Sequence, residues 1–107
     1  MAARLIWSNE ALNDVSAIAE YISRDSSYHA RRVTQEFFTI AEAVVEQPKL
    51  GRVVPELNDE HVRERFLYSY RLIYEIQGDR LHILAVIHGR RLLETLSNRF
   101  SGAPNTE

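Results

Sequence analysis

The sequence contains no cysteine. Disulfides and thiolate metal sites are therefore excluded, and a reducing compartment is the expected setting. Lysine is nearly absent too, Lys49 being the single example, so the positive charge is almost wholly arginine. No apolar run reaches membrane length before a charged residue breaks it, and the first residues lack the apolar core of a signal peptide. A soluble, cytoplasmic protein with no membrane partner is expected. There is no glycine-rich phosphate loop. No His, Asp and Glu residues fall at metal-ligand spacing, so neither a metal nor a cofactor is expected. Repeats and low-complexity segments are also missing.

What is present fits one domain. The chain has 107 residues, of which 45% are hydrophobic, enough for one core. A single domain over residues 1–100 is expected, with 101–107 as a flexible tail. The net charge of −2 is unevenly spread. Residues 62–91 hold six arginines against Glu64, Glu75 and Asp79, a local charge of +3. Arginine suits bidentate contact with carboxylate or phosphate. A pI near 6.1 argues against a protein that binds nucleic acid mainly by its field, and no direct sequence-specific nucleic-acid contact is expected.

Arg4 to Trp7 reads as a first strand. Ser8 has the chemistry of a helix N-cap, with Glu10 in the first turn. Ala11, Leu12, Val15, Ile18, Ala19 and Ile22 then make one helical stripe. After a break at Ser23 to Ser26, capped by Ser26 or Ser27, a second stripe runs through Ala30, Val33, Phe37, Ile40, Ala41 and Val44. Pro48 ends that helix at about Gln47. A turn over residues 48–52, Val53-Val54-Pro55 and a polar loop from Glu56 to His61 follow. Three strands come next: Val62 to Tyr68, Tyr70 to Gln77 and Leu81 to His88. The second and third are joined at Gly78-Asp79. The third is apolar on both faces and should be central. Arg91 to Arg99 reads as a short helix. The fold class is α+β, βααβββ(α), with a helical hairpin packed on a small, mostly antiparallel twisted sheet.

Alternation puts Arg63 and Arg65 on one face of their strand. If the next strand pairs with it as a hairpin, Arg71 lies near Arg65, a cationic pair for phosphate or a partner's carboxylates. The competing reading is a solvated strand face with Glu64 and Glu75 as local mates. His88, beside Gly89-Arg90-Arg91, is a candidate general acid or base for RNA cleavage, with arginines stabilising the transition state. The competing reading is a structural histidine. By alternation His82 shares a face with His88, but six residues separate them. Tyr68, Tyr70 and Tyr74 suit base stacking or, more commonly, strand packing.

These residues, in this order, resemble the ParE branch of the RelE/ParE toxin superfamily of type II toxin–antitoxin modules. The resemblance is carried by Trp7 to Ala11, Tyr21-Ile22, Pro48 with Gly51-Arg52, Val62-Arg63-Glu64, Tyr70-Arg71-Leu72-Ile73-Tyr74, Ile83-Leu84 and His88-Gly89-Arg90-Arg91. It spans roughly Leu5 to Leu93. It implies a toxin neutralised by a cognate ParD-like antitoxin, laid as a helix along the helical hairpin and as extended chain against the sheet, in a hetero-oligomer. ParE-like members poison DNA gyrase by protein contact, without catalytic residues. RelE-like members cut messenger RNA on the ribosome. The acidic balance and the scarcity of lysine lean toward gyrase. Under that reading Arg63, Arg65, Arg71, Arg90 and Arg91 bind antitoxin or target, and the segment from His88 to Phe100 helps engage gyrase. Under the alternative, His88 with Arg65, Arg71 and Arg90 forms a nucleolytic set.

Overall fold

The computed structural model describes residues 4–89 and Arg99. The expected helix over 91–99 falls outside them apart from Arg99, and so does the tail. Strand β1 covers Arg4–Trp7, helix α1 Asn9–Ser23 and helix α2 Ser27–Glu46. A 3-10 turn at Pro48–Leu50 leads to β2, Arg52–Val53. Strands β3 (Val62–Leu67), β4 (Tyr70–Gln77) and β5 (Arg80–His88) follow. The five strands form one sheet in the order β1-β5-β4-β3-β2. Strand β1 runs parallel to β5, and every other pairing is antiparallel.

Local chemistry sets the helix limits. The Ser8 hydroxyl accepts from the Ala11 amide at 3.0 Å, and that of Ser26 accepts from His29 at 3.1 Å. Each satisfies an amide that the first helical turn leaves without an intrahelical partner. Gln47 caps the end of α2, and Pro48 after it starts the 3-10 turn. The short β2 was not expected from the sequence. Two residues are too few to show alternation, and β2 exists because Arg52 and Val53 pair with Glu64 and Arg63.

Helices α1 and α2 cover one face of the sheet. Ala11 and Val15 of α1 meet Val33, Phe37, Ala41 and Val44 of α2 above Leu72, Tyr74, Leu81, Ile83 and Val86. The 33-37-41-44 spacing keeps one stripe of α2 on the sheet. Phe37 is fully buried, and replacing such a side chain by alanine costs about 3–5 kcal/mol. A second cluster lies on the far face: Val54, Val62, Ile73, Leu84, Ala85 and Ile87, with Leu57 packed against it. Strand β5 thus feeds both cores, as its two apolar faces require.

A bulge in β5 decides which residues share a face. Tyr74 pairs with Ile83 and Ile73 with Ala85, so Leu84 is the extra residue. Leu84 and Ala85 both join the far cluster, and Val86 returns to the helix side. Strict alternation fails there. His82 lies opposite buried Glu75 and His88 opposite Tyr70. The two histidines therefore lie on opposite faces, not on the shared face that alternation predicts.

The bulge frees polar backbone, and α1 satisfies it. Asp14 Oδ2 accepts from the Val86 amide at 3.0 Å, and Ser8 Oγ donates to the Leu84 carbonyl at 3.3 Å. Arg99 closes on Asp14 at 2.8 Å.

Candidate functional site

The arginines expected to form a site are divided by the strand register. Arg65 pairs with Leu72 and Arg63 with Tyr74, which places both on the helix face. Arg71 pairs with Phe66 and shares the far face with Val62, Glu64 and Ile73. Arg65 and Arg71 therefore do not sit together across the hairpin. The two-residue turn at Tyr68-Ser69 sets a register one residue away from the one that would pair them, and that is enough to separate them.

Arg71 is the centre of a charged network on the far face. Its Nη1 donates to Glu64 Oε1 at 3.1 Å and to Glu56 Oε1 at 3.1 Å. Its Nη2 donates to Glu56 Oε2 at 2.7 Å and to the Gly89 carbonyl at 3.0 Å. Glu56 is thus gripped in the two-bond fork geometry of an arginine–carboxylate pair. The Glu64 side chain is 0% exposed, and its second oxygen accepts from Arg52 Nε at 2.7 Å. Side-chain exposure is 10% for Arg71 and 44% for Glu56. The hydrogen bond to Glu56 holds the Arg71 guanidinium more firmly protonated than usual, against the opposing effect of burial. The same bond lowers the pKa of the Glu56 carboxyl below its ordinary value. Arg52 also lies over the half-exposed ring of Phe66, 5.0 Å from its centre.

The other candidates are placed differently. Arg63 is committed to backbone, donating to the Glu60 carbonyl at 2.9 Å and the Gly51 carbonyl at 3.0 Å. It ties the residue before β2 to the end of the β2–β3 connection. Arg65 has no hydrogen bond or ion pair to another described residue. His88 is exposed at the end of β5 and meets the Tyr70 ring edge-on at 5.7 Å. Tyr70 in turn meets Phe37 at 5.9 Å. Arg90 and Arg91 lie outside the described residues. Among the described residues, no group of three or more His, Cys, Asp or Glu side chains is placed to hold a metal.

Tyr74 and Tyr68 have structural partners. The buried Tyr74 hydroxyl donates to the Pro48 carbonyl at 2.7 Å and accepts from the Gly51 amide at 2.9 Å. Burial raises its pKa. A Cβ on Gly51 would come within 2.7 Å of that hydroxyl and of the Glu64 carbonyl, so only glycine fits the approach. Tyr68, at the β3–β4 turn, takes a positive φ of 55°. Its hydroxyl donates to Glu36 of α2 at 3.1 Å.

Sequence reasoning passed over Glu56, Arg52 and Asp14 as functional groups and treated Glu64 only as a surface mate. A signal for Glu64 was present. It shares a strand face with apolar Val62, and a carboxylate among core positions needs a buried cation.

The helical hairpin carries a groove of about 690 Å³ on its outer side. Ala19, Ala30 and Phe38 give it an apolar floor, and Glu20, Arg31 and Gln35 stand at its rim. Among the described strands, β1 pairs with β5 alone and forms one edge of the sheet. An apolar groove is a surface that can receive a helix, and a sheet edge one that can receive an extended chain.

A helical hairpin on a five-stranded mixed sheet, with an apolar groove along the hairpin, is a small α+β fold. Residues 5–93 match the family described as ParE toxin of type II toxin-antitoxin system, parDE, and the chain belongs to that family. Toxin RelE2 of Caulobacter vibrioides is 30% identical over 90 residues, a span of 84% of this chain and 99% of the relative. A solved structure, described as the chromosomal ParDE TA system from P. aeruginosa, superposes with a TM-score of 0.68 at 19% identity. That overlap covers 81% of this chain and 96% of the other. The likeness is one of fold.

Proposed function

We propose that this toxin acts in the cytoplasm by binding DNA gyrase, and that a cognate ParD-like antitoxin neutralises it. The observation that carries this reading is the dispersal of the nucleolytic candidates. RNA cleavage needs an acid or base within hydrogen-bond reach of a reacting atom that cations also hold. Here His88 and Arg65 belong to one face of the sheet. Arg71 belongs to the other, where two carboxylates already take its charge. A net charge of −2 also weighs against an enzyme that must hold many phosphates on a ribosome. Inhibition by protein contact requires none of that machinery.

The antitoxin would place the apolar face of a helix in the α1–α2 groove and extended chain along β1. Arg65, free of described partners, and Arg31 at the groove rim would receive its acidic side chains. The alternative is ribosome-dependent messenger RNA cleavage. It is favoured by the exposure of His88 and by the sequence proximity of Arg90. Growth inhibition by the His88→Ala protein separates the two. Under the gyrase reading, that variant keeps most of its toxicity. Under the nuclease reading, a folded His88→Ala protein is harmless.

A further inference from the structure

The far-face network contains a charge mismatch that the β2–β3 connection corrects. Among the described residues three ions are deeply placed, Arg71, Glu64 and Glu75; Arg71 and Glu64 are in contact, and Glu64 accepts from both Arg71 and Arg52. Two guanidinium groups therefore contact one buried carboxylate, and a second carboxylate in contact with Arg71 balances the pair of cations. Glu56 is that anion, bound through both oxygens. It comes from a connecting loop, not from the sheet, and its side chain is nearly half exposed. Its neighbours Leu57 and Asn58 make hydrogen bonds to Val54, within the same loop. Glu64, by contrast, is fixed in a strand and closed off from water.

We infer that Arg71 heads a carboxylate-binding site that Glu56 occupies in cis, and that an acidic peptide is its ligand in trans. The site has the parts such a ligand needs. Arg71 presents a planar fork whose position is set by Glu64 behind it and the Gly89 carbonyl beside it. Arg52 and the half-exposed Phe66 ring flank it on the same face. A carboxylate is favoured over a phosphate chain for two reasons. The present occupant is a carboxylate bound through both oxygens. Glu64, behind the fork, together with Asp59 and Glu60 in the same loop, also opposes a polyanion. Glu56 then acts as a self-cap: the free site is the minor state, and apparent affinity falls by the fraction that is open. This inference holds whichever target the toxin has.

The test uses the full chain and a fluorescent peptide of alternating Glu and Gly, read by anisotropy at fixed chloride concentration. Glu56→Ala should bind the peptide about tenfold or more tightly than the unaltered protein, and acetate should compete. Adding Arg71→Lys should abolish the gain, because an ammonium cannot reproduce the fork. If Glu56→Ala fails to fold, Glu56→Gln, which keeps the shape and removes the charge, should show the gain instead. Equal affinity in capped and uncapped proteins would overturn the inference. A gain that survives Arg71→Lys would overturn it as well. So would an uncapped protein that gains affinity for a single-stranded RNA oligonucleotide but not for the peptide.

Discussion

Replacing Arg71 by methionine removes the guanidinium but keeps most of the apolar bulk. It leaves Glu64, with 0% side-chain exposure, in contact with Arg52 alone. Breaking a buried ion pair from one side costs about 3–5 kcal/mol, because the stranded charge has lost both water and partner. Arg52 Nε stays 2.7 Å from Glu64 but is mostly exposed, so it offsets part of that cost. Glu56 regains water on release and adds little, as expected for a half-exposed partner. The net expectation is a loss of about 3 kcal/mol for Arg71→Met. The double variant Arg71→Met/Glu64→Leu removes both members of this buried pair and should fall within about 1 kcal/mol of the unaltered protein. The two sites should therefore couple by about 2–3 kcal/mol. Urea denaturation gives the numbers, provided m is unchanged across the set so that shifts in midpoint report stability. A loss under about 1 kcal/mol for Arg71→Met, or a double variant whose losses simply add, would refute the buried-pair account.

Other outcomes follow from the same contacts. Tyr74→Phe strands the Gly51 amide and the Pro48 carbonyl, both satisfied by one buried hydroxyl. It should cost about 2–3 kcal/mol in the same denaturation series, and a loss under about 0.5 kcal/mol would show that water replaces the hydroxyl. The Glu56 carboxyl should titrate below the ordinary glutamate range by carbon-detected NMR and return toward it in Arg71→Met. Because its folded pKa is depressed, the stability it contributes is present above the unfolded pKa and lost as pH falls through the folded one. The grip on the β2–β3 connection should therefore loosen on the acid side. An Glu56 midpoint in the ordinary range would contradict the fork contact.

The sequence made most of the scaffold legible. The helical stripes of α1 and α2 and their serine caps are strong periodic signals, and the two hairpins of β3–β5 have clear turn residues. The site was less legible because it depends on register. Whether Arg71 faces Arg65 or Glu64 turns on which residues pair across β3 and β4, and sequence spacing leaves that open by one position. The bulge at Leu84 had the same effect on His82 and His88. Alternation cannot foresee an extra residue in a strand that is apolar on both faces. Glu56 was hidden for a further reason. A loop glutamate among other acids looks solvated until the fold brings Arg71 beneath it. Strand β2 was too short to carry a period, and its pairing partner, not its composition, makes it a strand.

The most direct test of the functional account is incubation of the purified toxin, freed of antitoxin, with gyrase, ATP and supercoiled plasmid. The account predicts linear, cleaved DNA that disappears when the cognate antitoxin is added, with His88→Ala producing as much linear product as the unaltered toxin. Intact supercoiled or relaxed plasmid, together with cleavage of ribosome-bound messenger RNA that requires His88, would contradict it.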